Sequence, residues 1–246
     1  MKYVLMAAGR GTRLQPFTND MPKCLVQLTP SETIIERCIR LVKKYDPKGE
    51  IIVIGGFEYD KLRDVVGDTC RCVRNPFFKV TNSIASIWMA RDMIGRDDHL
   101  VTFNADVVFD EEIARRICRP PQRTAVLYDS TITENGDYNV QIHNDRVVIM
   151  GKELKTYSGE YVGITRIHRR DMGRVFDEMN HMVLNDMYDQ WFESTLVRLI
   201  LHRMMEIGGD DIAGCRWSEI DDIGNVFKVR AIIQEESDTL RFKNAA

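Results

Sequence analysis

The chain has 246 residues, enough for one substantial hydrophobic core, or for one core with a small appended lobe. Apolar residues make up 44% and charged residues 29%, as in an ordinary globular protein, and the net charge of -3 gives no basic excess for nucleic acid or an anionic membrane. No apolar run approaches the roughly 20 residues of a membrane-spanning helix. The start, MKYVLMAAG, lacks a long apolar region before Arg10 and Arg13, so it is expected to be a buried strand and not a secretion signal. A cytoplasmic protein without nucleic-acid or membrane partners is therefore expected, as a monomer or homodimer. The six cysteines are scattered with no C-x-x-C pair, which speaks against a zinc site and for small buried thiols.

In chain order, residues 2–6 are predicted as a buried strand ending at Ala7-Ala8-Gly9. Ile34, Ile35, Cys38, Ile39, Leu41 and Val42 share one face of a helix over 31–44, with Ser31 as its cap. Strands follow at 51–54 and 70–74, with a helix at 59–66 between them. A helix at 82–94, with Ile84, Ile87, Trp88 and Met93 in the core, leads to a strand at 100–103. That strand runs into Asn104-Ala105-Asp106, and a helix at 111–118 follows, capped by Asp110. This alternation predicts a parallel sheet covered on both faces. After Thr124 strands dominate, at 124–128, 139–143, 146–150 and 161–167, with a hairpin turn at His143-Asn144-Asp145-Arg146. Helices are predicted at 169–179 and 187–205, a last strand at 217–220, and a closing helix at 226–233 that Asp222 helps to start. The polar tail from Glu235 is expected to fray. With no linker or repeat, 1–246 reads as one domain, with the alternating half at 1–122 and the strand-rich half and closing elements at 123–246.

The first loop carries the clearest chemistry. Gly9 and Gly11 permit backbone angles closed to other residues, so successive N–H groups can point at phosphate oxygens. Arg13 and Lys23 add positive charge, and Pro22 stiffens the approach to Lys23. The loop is neither a Walker A motif nor the dinucleotide fingerprint, because Leu14 stands where the third glycine belongs. On Gly9-Arg10-Gly11 alone, a plain glycine-rich turn is an equal reading.

The full stretch MAAGRGTRLQPFTNDMPKCL resembles the signature of the nucleotidyltransferases that make sugar nucleotides and CDP-linked compounds, with Met6 in place of the usual Leu or Ile. The resemblance implies an α/β fold: a Rossmann-like three-layer sandwich with a mostly parallel central sheet, of the nucleotide-diphospho-sugar transferase type, plus a small acceptor-binding β subregion, so that 1–122 would be mainly nucleotide-binding and 123–246 mainly acceptor-binding and closing elements. It also implies that Ala7, Ala8, Gly9, Gly11 and Thr12 wrap the nucleotide, while Arg13 and Lys23 act at the reacting α-phosphate. The segments 75–78, 81–88 and 217–221 resemble the narrower phosphocholine cytidylyltransferase-like group. That likeness puts Asn82, Ser83 and Ser86 at the base and ribose, and it favours CTP.

Asp106 and Asp221 each follow an apolar stretch, and two carboxylates at strand ends can share one Mg²⁺, which prefers carboxylate, water and phosphate oxygens. A lone Asp after a strand is more often a cap. The resemblance supplies the rest, since the family places metal-binding aspartates at both positions. For the acceptor, the resemblance points to Lys152 at its phosphate and Glu160 at its body. Trp191, Phe192 and Glu193, read as lying on a helix with Tyr188 one turn before, are ordinarily core residues, yet an aromatic wall beside carboxylates such as Glu219 also suits an ammonium group. The five histidines have neither metal nor triad spacing, and a phosphate nucleophile requires no general base.

The expected activity is a Mg²⁺-dependent transfer that joins a nucleoside triphosphate, CTP favoured, to a small amine-bearing phospho- or phosphono-acceptor and releases pyrophosphate. A sugar-1-phosphate transferase using UTP, dTTP or GTP is the alternative within the family. A nucleotide-binding regulatory protein without catalysis is the alternative of another class, disfavoured by Arg13, Lys23, Asp106 and Asp221 standing together. An oxidoreductase is ruled against by Leu14.

Overall fold

The computed structural model describes residues 1–244, and side chains for residues 1–234. In chain order the elements are β1 (Lys2–Ala7), β2 (Gln27–Thr29), β3 (Glu32–Thr33), α1 (Ile34–Tyr45), β4 (Glu50–Gly55), α2 (Tyr59–Val66), β5 (Arg71–Arg74), α3 (Ser83–Ile94), β6 (Leu100–Asn104), β7 (Val107–Phe109) and α4 (Glu111–Ile117). Then come β8 (Ala125–Asp129), β9 (Asn139–His143), β10 (Arg146–Gly151), β11 (Gly159–Ile167), α5 (Met172–Leu184), α6 (Phe192–Leu201), β12 (Gly208–Asp211), β13 (Trp217–Glu219) and α7 (Ile223–Asn244).

The order of the nine-stranded sheet is β5-β4-β1-β6-β11-β8-β12-β10-β9. Its first four strands are parallel; Leu5 of β1 lies between Val53 of β4 and Phe103 of β6. β11 runs antiparallel to both β6 and β8, so the sheet is mixed beyond β6. Alternation along the strands builds the layers. Tyr3, Leu5, Ile51, Val53 and Phe103 pack under α1, α2 and α4, whereas Val4, Ile52 and Ile54 pack under α3, α5 and α6. The chain leaves β1 for β4 and β5 on one side and returns to β6 on the other. The carboxyl ends of β1 and β6 therefore form a topological switch point, where open α/β sheets bind ligands.

A third apolar cluster joins the first loop to the chain's end. Leu14, Val26, Leu28, Ile34, Val108 and Ile220 pack against Val226, Val229 and Ile233 of α7. The backbone of the tail from Glu235 is helical to Asn244, and its side chains lie outside the described residues. Among the described residues no helix is long and apolar enough to cross a membrane. All six cysteines are free thiols.

Several predicted boundaries move. The helix expected from Ser31 begins at Ile34, because residues 32–33 pair with β2 and Thr33 forms a capping box with Glu36. Thr33 accepts from the Glu36 N–H at 3.3 Å, and Glu36 accepts from the Thr33 N–H at 2.8 Å. The helix expected over 187–205 covers only Phe192–Leu201, because a left-handed Asp186 (φ 63°) turns the chain and Trp191 is extended. Residues 169–171 are a 3-10 turn that precedes α5. Asp110 and Asp222 cap as expected, accepting from the Ile113 and Asn225 N–H groups. Asn144 and Asp145 both have positive φ, the mark of the predicted hairpin. Trp88 and Met93 pack at the core's margin, whereas Ile84 and Ile87 are fully inside.

Thr33→Ala removes half of the capping box. It should lower unfolding stability by about 1 kcal/mol in chemical denaturation; an unmoved midpoint would show that the cap contributes nothing.

Candidate active site

The loop after β1 folds back on itself. Gly11 has φ +63°, and a Cβ there would lie 2.7 Å from the Lys23 Cβ, so glycine lets the two ends of the loop touch. Thr18 donates to the Gly11 carbonyl at 2.7 Å, and buried Leu14 anchors the intervening turn. A Cβ on Gly9 would meet no protein atom within 4 Å, although Gly9 lines two cavities. The space in front of it is room for a ligand.

Lys23 reaches across to both sequence-predicted aspartates. Its Nζ lies 2.7 Å from Asp106 Oδ2 and 2.7 Å from Asp221 Oδ1, and Arg13 Nη2 lies 2.9 Å from the same Asp221 oxygen. Backbone pairing explains why residues so distant in sequence meet. β13 runs antiparallel to β7, Glu219 opposite Val107, and the Ile220 N–H donates to the Asp106 carbonyl at 3.0 Å. Glu219 joins them: it, Asp106 and Asp221 each offer an oxygen within 4.8 Å of the others.

The electrostatics follow from burial and crowding. Desolvation pulls the Lys23 ammonium down, but Asp106 and Asp221 outweigh it and leave Lys23 above the ordinary lysine value. Burial, then Asp106 and Asp221, push the Glu219 carboxyl up to about 8. Asp106 Oδ1 is buried with no hydrogen-bond partner among the described residues. A buried, unsatisfied carboxylate oxygen beside two further carboxylates is a donor set suited to a hard divalent cation.

Three cavities meet here. One of about 370 Å³ runs from Ala8, Gly9 and Arg13 past Asn82, Ser83 and Ser86 to Lys152, Trp191, Glu193 and Glu219. One of about 260 Å³ is lined by Ala7, Gly11, Thr12, Arg13, Lys23, Asp106 and Asp221. A third, of about 560 Å³, lies beneath α7 and includes Glu160, Glu219 and Asp221. The first two bring together the predicted nucleotide-site residues. Glu160 stands apart from Lys152 and Trp191, because it faces the third cavity.

The wall beside Asn82 is held by side chains already engaged. The Asn82 side chain accepts from the Ser83 N–H at 2.8 Å, Ser83 Oγ accepts from the Phe192 N–H at 2.8 Å, and Ser86 Oγ accepts from Asn75 Nδ2 at 3.0 Å. At the far end, Tyr138 packs edge-on to both Trp191 and Tyr161, each at 5.8 Å between ring centroids. The Tyr161 hydroxyl donates to buried Glu193 at 3.3 Å, and burial pushes the Glu193 carboxyl up. Lys152 Nζ sits 4.3 Å from the Trp191 ring centroid and 3.8 Å from Asp137. Tyr188 does not join this wall. It precedes the true start of α6 and lines none of the three cavities; only its carbonyl takes part, accepting from the Asn82 N–H. Asn75, Phe78, Asp137, Tyr138 and Tyr161 line the first cavity without having been singled out as site residues. The Asn75-Pro76-Phe77-Phe78 run signalled the first two, whereas nothing in the sequence marked the others.

Comparisons with known proteins give the family and the fold. A family model of the MobA-like NTP transferase domain matches residues 3–160. The CTP:phosphoglutamine cytidylyltransferase of Campylobacter jejuni is 22% identical over 245 residues, covering 90% of this chain and 96% of that protein. The choline-phosphate cytidylyltransferase of Streptococcus pneumoniae is 33% identical over 94 residues, 37% of this chain and 40% of that one. Among solved structures, the CTP:phosphocholine cytidylyltransferase from Streptococcus pneumoniae superposes with a TM-score of 0.76 at 20% identity, over 94% of this chain and 98% of that chain. The inositol-1-phosphate CTP transferase from T. maritima gives 0.76 at 15% identity, over 95% and 96%. These likenesses establish the nucleotide-diphospho-sugar transferase fold.

The Glu219 shift has a stability signature in metal-free protein. Its carboxyl is raised from 4.5 to about 8, so the folded state binds the extra proton between those values and stability falls as pH rises through them. Glu219→Gln removes that penalty. Its thermal-stability advantage over wild type should grow from about pH 5 to pH 8 and then level off; a pH-independent difference would refute it.

Proposed function

The chain belongs to the MobA-like NTP transferase family and is a nucleotidyltransferase, and we propose that it joins CTP to a small amine-bearing phospho- or phosphono-acceptor. The observation that carries this reading is the convergence of Lys23 and Arg13 on Asp106 and Asp221 at the mouth of a cavity. The similarity to cytidylyltransferases supports CTP as the nucleotide.

In this reading the triphosphate lies along the glycine loop, where Gly9 leaves space and Arg13 and Lys23 neutralise charge at the α-phosphate. The base and ribose run past Ala8 toward Asn82, Ser83 and Ser86. The acceptor comes to the end of the cavity lined by Lys152, Trp191, Glu193 and Glu219. An acceptor oxygen attacks the α-phosphorus, a new P–O bond forms, the α–β anhydride bond breaks, and pyrophosphate leaves. The acceptor oxygen is already anionic, so positioning and charge compensation suffice without a general base.

Asp106 and Asp221 would hold a divalent cation, Mg²⁺ by preference, and the orphaned Asp106 Oδ1 fits that part. Such an ion supplies charge compensation to phosphate oxygens when bound. Lys23 then has a second task. It already compensates both aspartates, so it can turn toward phosphate only as another cation takes its place.

The test is pyrophosphate release by purified protein with Mg²⁺, each of the four NTPs, and a panel of phospho-acceptors. Release with CTP and an amine-bearing acceptor is expected; none with any combination would sink the reading. Asp106→Asn and Asp221→Asn should each lower kcat by about 100-fold or more, and a chelator should do the same to the wild type. Variants that keep full rates would remove both aspartates from the reaction.

A further inference from the structure

Between β1 and Leu25 the chain carries three cations, Arg10, Arg13 and Lys23. Two of them are committed. Arg13 pairs with Asp221, and Lys23 with both Asp106 and Asp221, so carboxylates already match their charge. Arg10 differs. It is exposed, and no carboxylate pairs with it among the described residues. Its guanidinium rests instead over the Phe57 ring, 4.9 Å from the centroid. The transfer described above gives this third cation no part.

The backbone under Arg10 is open as well. The N–H groups of Gly9, Arg10 and Gly11 find no acceptor among the described residues. Main-chain bonds hold the chain on either side of them: the Phe57 N–H donates to the Ala8 carbonyl at 3.2 Å, and the Leu14 N–H to the Gly11 carbonyl at 3.0 Å. Consecutive unpaired N–H groups beside a left-handed Gly11 (φ 63°) make a concavity suited to an anion. Gly9 lines both of the first two cavities and Gly11 lines the second, so the concavity adjoins the space where phosphates would lie. Arg10 stands between these glycines. A guanidinium on its long, flexible stem can reach a phosphate seated on its own backbone.

We propose that Arg10 binds the β- and γ-phosphates of the nucleotide, the part that leaves as pyrophosphate, and that the Phe57 ring is its resting place before the nucleotide arrives. Arg13 and Lys23 are taken up at the α-phosphate, so the two phosphates beyond it are those left for Arg10. Relative strengths favour the move. An exposed cation–π contact is weaker than the bidentate, charge-assisted hydrogen bonds that a guanidinium makes to phosphate. Arg13 and Lys23 start out matched to aspartates, which leaves Arg10 as the loop cation whose charge is free to meet the incoming anion. Phe57 also packs against Phe78, with ring centroids 6.3 Å apart, and Phe78 lines the first cavity. The resting place is thereby part of the cavity wall and stays in position when Arg10 leaves it. This assignment rests on nucleotidyl transfer alone and needs neither a particular base nor a particular acceptor.

Calorimetric titration of the full chain with inorganic pyrophosphate in the presence of Mg²⁺ tests this. Arg10→Ala and Arg10→Gln should each weaken pyrophosphate binding by about tenfold, the effect of one charge-assisted bond. Phe57→Leu keeps apolar bulk and removes the ring face, so it should bind pyrophosphate within about twofold of wild type, or more tightly. A merely structural role for the stack predicts something else, equal losses in Arg10→Ala and Phe57→Leu. That result, wild-type affinity in the Arg10 variants, or no binding of pyrophosphate by the wild type would overturn the assignment. If CTP supports no turnover with any acceptor while pyrophosphate still binds, the cytidylyl-transfer reading fails, and the titration decides the part of Arg10 on its own.

Discussion

Lys23, 2.7 Å from both Asp106 and Asp221, is the contact around which the site is arranged. Two unit charges about 4 Å apart interact by roughly 4 kcal/mol at an effective dielectric constant of about 20. Three carboxylates within 4.8 Å of one another would therefore oppose folding on the scale of a whole domain's stability. Lys23 and Arg13 offset that repulsion, and Glu219 escapes it by holding its proton up to about pH 8. An ion pair this confined is weak evidence for stability and good evidence for position. The backbone bears this out: β1 and its loop deliver Lys23, β6 delivers Asp106, and the β7–β13 ladder delivers Asp221.

The same contact sets a rule for ligands. An anion that draws Lys23 away leaves Asp106 and Asp221 without their counterion, and a cation that takes the aspartates frees Lys23 for phosphate. If the proposed function holds, the two events favour each other, so phosphate and metal affinities would be linked, and reciprocally. Asp106 Oδ1, buried and without a partner among the described residues, would add to the pull on such a cation. The glycines belong to this arrangement. Gly11 lets Lys23 pass close to the loop, and Gly9 keeps open the space that phosphate would fill.

Much of this was legible in the sequence because it is local. The glycine loop, the strand before it, and the Asp110 and Asp222 caps all depend on neighbours a few residues away. The parallel half of the sheet was legible for the same reason, since apolar strands and amphipathic helices alternate there. Legibility fell where backbone pairing replaced side-chain pattern. β12 is Gly-Gly-Asp-Asp, with no strand signal, and its position between β8 and β10 comes from hydrogen bonding alone. The helix start near Tyr188 was misplaced because an apolar period runs through Met187–Trp191 while Asp186 turns the backbone. Tyr138, Tyr161 and Asp137 were invisible as site residues, because the mixed half of the sheet brings them to the cavity.

α7 shows what the late part of the chain contributes. It touches the site without supplying Asp221 itself. Asn225 Oδ1 accepts from both the Asp221 and Asp222 N–H groups, at 2.9 and 3.0 Å, which fixes the backbone that carries the carboxylate. One and two turns on, Lys228 and Ile232 face the third cavity, and from the other face of the helix Val226 and Val229 pack in the cluster that holds Leu14, the residue after Arg13. A shift of this helix would therefore displace Asp221, the loop bearing Arg13, and one wall of the cavity together. Packed interfaces of this kind move as units because their side chains are close-packed. The cavity beneath α7 is thus mechanically continuous with the carboxylates, and whatever fills it bears on the position of Asp221.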